Sequence, residues 1–138
     1  MSAYRTVDAN LNRLREALRV IEELFRFYRN DAVLSAKFKT IRHDFSSSQP
    51  YIAPFTEKFL SERDSCNDVL KNSSAASEIC RSGPADIFIR NCGRACEALR
   101  VIEEFAKLFS PELSKLAKKN RYEIYELEKF NYQAFSGS

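Results

Sequence analysis

Two pairs of polar residues recur at one spacing: Asn10 with Arg13, and Asn91 with Arg94, each 81 positions after its counterpart. Residues three apart share a helix face, so each pair sets an amide beside a guanidinium. The guanidinium is a planar fork that matches phosphate. On a helical wheel Asn10 falls inside an apolar sector, near Leu24 and Ala17, and Arg13 lies at its edge beside Val20. A buried amide and a half-buried guanidinium are costly unless satisfied. There are two readings. The residues fix the register of two helices by hydrogen bonds between them, or they line a polar site where two copies of one unit meet. Glu16 and Glu97 sit three residues further on and are additional candidates for substrate contact.

A second group is Arg63, Asp64 and Asp68. Two carboxylates beside an arginine suit Mg²⁺ held through oxygen while phosphates supply the remaining ligands. The plainer reading is solvated turn carboxylates. Arg42-His43-Asp44 has the residue types of a catalytic cluster, but successive helical residues point about 100° apart and do not converge. Arg42, matched by Arg121, reads as a structural or anion-pairing arginine. The chain has no P-loop, dinucleotide-binding glycine pattern or nucleophile elbow.

What positions these residues is an internal repeat. Glu16-Ala17-Leu18-Arg19-Val20-Ile21-Glu22-Glu23 returns letter for letter as Glu97-Ala98-Leu99-Arg100-Val101-Ile102-Glu103-Glu104. Leu34-Ser35 aligns with Leu113-Ser114, and Arg42-His43-Asp44-Phe45 with Arg121-Tyr122-Glu123-Ile124. The repeat predicts two helical hairpins, roughly 3–46 and 84–130, separated by an unrelated insert, 47–83.

The first helix is expected to end near Arg29. Leu11, Leu14, Leu18, Ile21, Phe25 and Tyr28 form one apolar stripe, widened by Ala17, Val20, Leu24 and Phe27. Arg15, Arg19, Glu22 and Arg26 lie opposite and read as surface ion pairs. A second helix is expected from about Asp31 to Phe45, with Asn30 or Asp31 as its cap. A short helix comes next within 50–62, then a loop, then a short helix at about 74–81. A long helix spans about 84–109, with Pro84 in its first turn. Cys92, Ala95, Leu99, Ile102, Ala106 and Phe109 repeat the stripe. Ser110-Pro111 starts the last helix, which ends near Tyr132, and residues 133–138 are expected to fray. The expected fold is an all-α, pseudo-twofold bundle in one domain, with the long helices near the axis.

The chain has 138 residues, 30% charged and 44% apolar, with a net charge of +3 from interleaved acids and bases. That is a globular balance and predicts no nucleic-acid partner. No apolar run approaches the roughly 20 residues of a membrane span, and the start lacks a signal-peptide layout, so a cytoplasmic location is expected. Cys66, Cys80, Cys92 and Cys96 contain no C-x-x-C pair and read as reduced thiols.

Four blocks taken in order resemble the ThiD2 domain, often fused in front of thiamine phosphate synthase. They are Asp-Ala-Asn-Leu-x-Arg-x-Arg-Glu-x-Leu-Arg-Val-Ile-Glu-Glu at Asp8–Glu23, Arg-Asp-x-x-x-Asp at Arg63–Asp68, the second repeat at Asn91–Glu104, and Arg-Tyr-x-x-Tyr-x-Leu-Glu at Arg121–Glu128. One departure is the absence of the family's loop glycine, since Cys66-Asn67-Asp68-Val69-Leu70 stands there. The resemblance implies phosphorylation of hydroxymethylpyrimidine phosphate to the diphosphate, with ATP as co-substrate and Mg²⁺. For such a kinase we expect Arg13 and Arg94 to clamp phosphates, Asn10 and Asn91 to orient substrate, and Asp64 and Asp68 to carry Mg²⁺ or one of them to receive the hydroxyl proton. The alternative is a non-catalytic accessory or dimerisation domain for thiamine phosphate synthase, with a homodimer as one form.

Overall fold

The computed structural model describes residues 2–72 and 80–136, and all of its regular elements are helical. Among the described residues five α-helices succeed one another: α1 Ser2–Glu23, α2 Ala32–Asp44, α3 Thr56–Ser61, α4 Pro84–Ala106 and α5 Pro111–Asn131. The most extensive packing is α1 against α4, with α2 on α1 and α5 on α4.

Aromatic contacts set the direction of the central pair. Tyr4, at the start of α1, lies 4.7 Å from Phe109, just past the end of α4. Phe25, past the end of α1, lies 5.6 Å from Phe88, near the start of α4. The two helices therefore run antiparallel. Both contacts set the same register, which brings residue 16 level with residue 97. Leu11, Leu14, Leu18, Ile21, Cys92, Ala95, Leu99 and Ile102 fill the seam, each no more than 1% exposed. Burial on this scale stabilises by about 1.5–3 kcal/mol per large side chain.

The stripe of the first helix does not continue as its periodicity suggests. Leu24–Tyr28 form a single π-helical turn, which holds more residues per turn and so rotates the side chains beyond it. Leu24 and Phe25 stay buried, while Phe27 and Tyr28 are 63% exposed. Asn30 then adopts a left-handed φ of 51°, a conformation asparagine tolerates. Asp31 caps α2, accepting from the Leu34 amide at 3.0 Å. At the far end of α2, three successive carbonyls are taken by side chains. Gln49 donates to His43, Tyr51 to Asp44 and Arg15 to Phe45, at 2.9, 2.6 and 2.7 Å. These satisfy groups a helix end leaves open.

The insert is less regular than its sequence suggests. Pro54 belongs to a 3₁₀ turn, Ala53–Phe55, and α3 starts after it because proline lacks the amide a helix interior needs. The helix expected at 74–81 falls mostly outside the described residues; Cys80 and Arg81 are not helical. Helix α4 stops at Ala106 rather than 109, because Ser110 turns extended to cap α5, accepting from the Leu113 amide at 3.3 Å. The tail is a correction too. Phe135 is 1% exposed and packs on Phe25 and Phe88, at 5.2 and 5.4 Å, so residues 133–136 are held instead of fraying, while 137 and 138 lie outside the described residues.

Candidate functional site

The same pins recur in both halves. Ser35 donates to the Glu22 carbonyl at 3.1 Å, and Ser114 to the Glu103 carbonyl at 2.7 Å. Arg42 pairs with the Glu22 carboxylate through two nitrogens, and Arg121 with Glu103 at 2.9 Å. Glu22 and Glu103 are 5% and 6% exposed, so Glu22 belongs to the interior and not to the surface ion pairs expected of it. The wheel places Glu22 opposite the α1–α4 seam, but α2 covers that side and brings the arginine with it. Arg42 and Arg121 are thus anion-pairing residues, as their recurrence suggests, and both have raised pKa values because of the hydrogen bond to glutamate.

Between α1 and α4 lies a cleft of about 560 Å³. It is lined by Asn10, Arg13, Glu16 and Val20 from one helix and by Asn91, Arg94, Glu97 and Val101 from the other. Six sequence-derived candidates therefore share one cavity. Its floor includes Ala17 and Ala98, both buried, whose small side chains leave the space open. The register sets Glu16 level with Glu97, while Arg13 and Arg94 lie on opposite sides of that level.

Asn10 and Asn91 are buried, 6% and 7% exposed, as the wheel indicates. They do not tie the helices together. Each amide donates to a carbonyl of its own helix, Asn10 to Thr6 at 2.9 Å and Asn91 to Ile87 at 2.8 Å. A bond four residues back satisfies the donor locally. The Asn10 amide oxygen is reached by Arg13 at 3.5 Å. Arg13 and Arg94 are exposed rather than half-buried, since the cleft opens to solvent there.

Charge pairing separates the cleft from the rest of the repeat. Arg19 pairs with Glu23 at 3.2 Å, and Arg100 with Glu103 and Glu104 at 2.8 and 2.6 Å. Arg13 and Glu16, and likewise Arg94 and Glu97, have spacings that permit such pairs. Among the described residues, none of these four enters a salt bridge.

Arg63, Asp64 and Asp68 do not line the cleft. Arg63 forks onto Asp8, and Arg5 donates to the Asp64 carbonyl at 2.8 Å. The Asp64 carboxylate accepts from Asn67, from its amide at 3.3 Å and its side chain at 2.6 Å. The side-chain bond holds Asp64 below the usual carboxylate range. Asp68 accepts from the Leu70 amide at 3.1 Å. These carboxylates cap local turns. Among the described residues no three His, Cys, Asp or Glu side chains gather as metal ligands. His43 is exposed. Arg15 and Asp8 are the residues that sequence reasoning missed as anchors of this loop and of α2. Their one sequence signal is that they share a helix face, seven residues apart.

No helix among the described residues is long and apolar enough to cross a membrane. The sequence matches relatives that are thiamine-phosphate synthases. It is 43% identical over 124 residues to that of Thermosynechococcus vestitus, covering 90% of this chain and 34% of the relative. It is 37% identical over 125 residues to that of Nostoc punctiforme, covering 91% and 34%. It is 39% identical over 124 residues to that of Gloeobacter violaceus, covering 90% and 35%. The chain thus spans about a third of the length of the curated relatives it matches. No solved structure matches it. The family model of the ThiD2 family matches residues 5–130, and the chain belongs to that family.

Proposed function

We propose that the chain serves thiamine biosynthesis as a helical accessory domain of thiamine-phosphate synthase, and that the α1–α4 cleft holds the phosphorylated pyrimidine. The observation that carries this reading is that Arg13, Arg94, Glu16 and Glu97 share one cavity and none of them enters a salt bridge among the described residues. Guanidinium groups take phosphate through paired N–H donors. Carboxylates take the amino hydrogens of an aminopyrimidine. A ligand with both features satisfies charges of both signs, which a simple anion does not. The names of the relatives support the pathway.

A second reading is ATP-dependent phosphorylation of hydroxymethylpyrimidine phosphate with Mg²⁺. It is favoured by the same free carboxylates, Glu16 and Glu97, which the cleft leaves open to a hydroxyl proton. One experiment separates the two. The purified chain is incubated with ATP, Mg²⁺ and hydroxymethylpyrimidine phosphate and the product followed by mass, while binding of the pyrimidine phosphate alone is followed by calorimetry. The accessory reading expects binding without a diphosphate product, and weaker binding in Arg13→Ala and Arg94→Ala. Diphosphate formation supports the second reading. Absence of binding removes the cleft from both.

A further inference from the structure

We infer that the cleft is a double site, taking two aminopyrimidine monophosphates per chain, one in each half. The inference rests on the ligand class proposed above and adds its stoichiometry and arrangement.

Antiparallel α1 and α4 bring residue 16 level with residue 97, so Arg94 is level with residue 19, six residues from Arg13. At 1.5 Å per residue the two arginine positions are about 9 Å apart along the helix axes. Between them lie Glu16 and Glu97, both facing the cavity. A single phosphate shared by the two arginines would sit over two carboxylates, where like charge opposes it. Each arginine is better served by a phosphate of its own, at its own end.

Each end has the same fittings. Arg13 has Asn10 beside it, with the amide oxygen 3.5 Å from a guanidinium nitrogen, and Val101 is level with it across the cleft to within a residue. Arg94 has Asn91 beside it, and Val20 stands across from it in the same way. Each half thus offers a cation for phosphate, an apolar wall for a ring and a central carboxylate for an amino group. The volume of about 560 Å³ falls within the usual span for small-molecule sites, roughly 300–1,000 Å³. The cleft also carries two positive and two negative side chains, so filling one half leaves the other half's arginine and glutamate unsatisfied.

The test is calorimetric titration of the whole chain with hydroxymethylpyrimidine phosphate, with inorganic phosphate as a comparison probe. Two equivalents are expected in the wild type, and one in each of Arg13→Ala and Arg94→Ala. The double variant is expected to bind none, and melting curves are expected to stay unchanged because both arginines are exposed. Arg13→Gln and Arg94→Gln provide a second pair of the same size class. One equivalent in the wild type, lost in either single variant, overturns the double site but leaves the proposed ligand standing. No binding in the wild type overturns both. Inorganic phosphate binding as tightly as the pyrimidine overturns the roles given to Glu16, Glu97 and the valines.

Discussion

Arg63 reaches both carboxylate oxygens of Asp8, with Nε at 2.8 Å and Nη2 at 2.7 Å. The Asp8 side chain is 7% exposed and the Arg63 side chain 48%. The pair ties the insert to α1, on a different side of that helix from Arg13. The hydrogen bond to Asp8 raises the Arg63 pKa, so the guanidinium stays charged at all ordinary pH values. Removing Arg63 leaves a buried carboxylate without its strongest partner, although Arg15 is close enough to interact with it. We expect Arg63→Ala to lower unfolding stability by about 1–3 kcal/mol. Arg63→Lys should recover only part, since a lysine is a point donor and not a fork. Urea titration at constant slope checks this, and an unchanged midpoint in Arg63→Ala would show the contact to be idle.

The four thiols should divide into two classes. Cys66 and Cys80 are exposed, while Cys92 and Cys96 are buried. Burial pushes Cys96 up to about 12, and pushes Cys92 up as well. A raised thiol pKa leaves the neutral form in place far above neutrality, and the thiolate is the reactive species. At pH 8 a thiol of pKa 12 is thiolate in about one molecule in ten thousand. Ellman's reagent at pH 8 should therefore read two fast thiols in the native chain and four after denaturation. Fast reaction of all four in the folded state would contradict the burial of Cys92 and Cys96 on α4.

Gly93 lies inside α4, where glycine costs about 1 kcal/mol relative to alanine. A Cβ built there meets nothing within 4 Å. Gly93→Ala should therefore raise stability by roughly 0.5–1 kcal/mol, through backbone entropy alone. Chemical denaturation gives the sign. A loss of stability would mean that another group needs the space.

The helices and their seam are legible in the sequence because Leu, Ile and Val recur at helical spacing, and spacing alone decides which face is apolar. The burial of Asn10 is legible on the same wheel. Its partner is not, since the bond goes to the Thr6 backbone, which no side-chain pattern reveals. The interior place of Glu22 is illegible from its own helix, because α2 creates it; the recurrence of Arg42 as Arg121 is the available clue. The π turn at Leu24–Tyr28 is hidden for a similar reason. A wheel assumes one residue count per turn, and tertiary packing of Phe25 can override it. In the insert, Asp64 and Asp68 carry carboxylates that suit a cation and Arg63 a fork that suits phosphate, but the hydrogen bonds they make to backbone amides and to Asp8 are not visible in the residue types.

The tail shows how far one aromatic can act. Phe135 lies beyond α5 and reads from sequence as part of a fraying end, yet it closes an aromatic cluster with Phe25 and Phe88, and Phe25 in turn stacks on Phe38 at 5.6 Å. All four rings are no more than 1% exposed. They join the end of α1, the middle of α2 and the start of α4, so a gap there is shared by several elements. Removing a buried phenylalanine typically costs about 3–5 kcal/mol, through lost transfer energy and the cavity left behind. We expect Phe135→Ala to fall in that range, and Phe135→Leu to lose clearly less. Truncation after Tyr132 should cost as much as Phe135→Ala, because the ring is the tail's buried part. Thermal melts of the three variants check this order. If truncation leaves the melting temperature where it was, the tail is not part of the core and the α1–α4 ends must close without it.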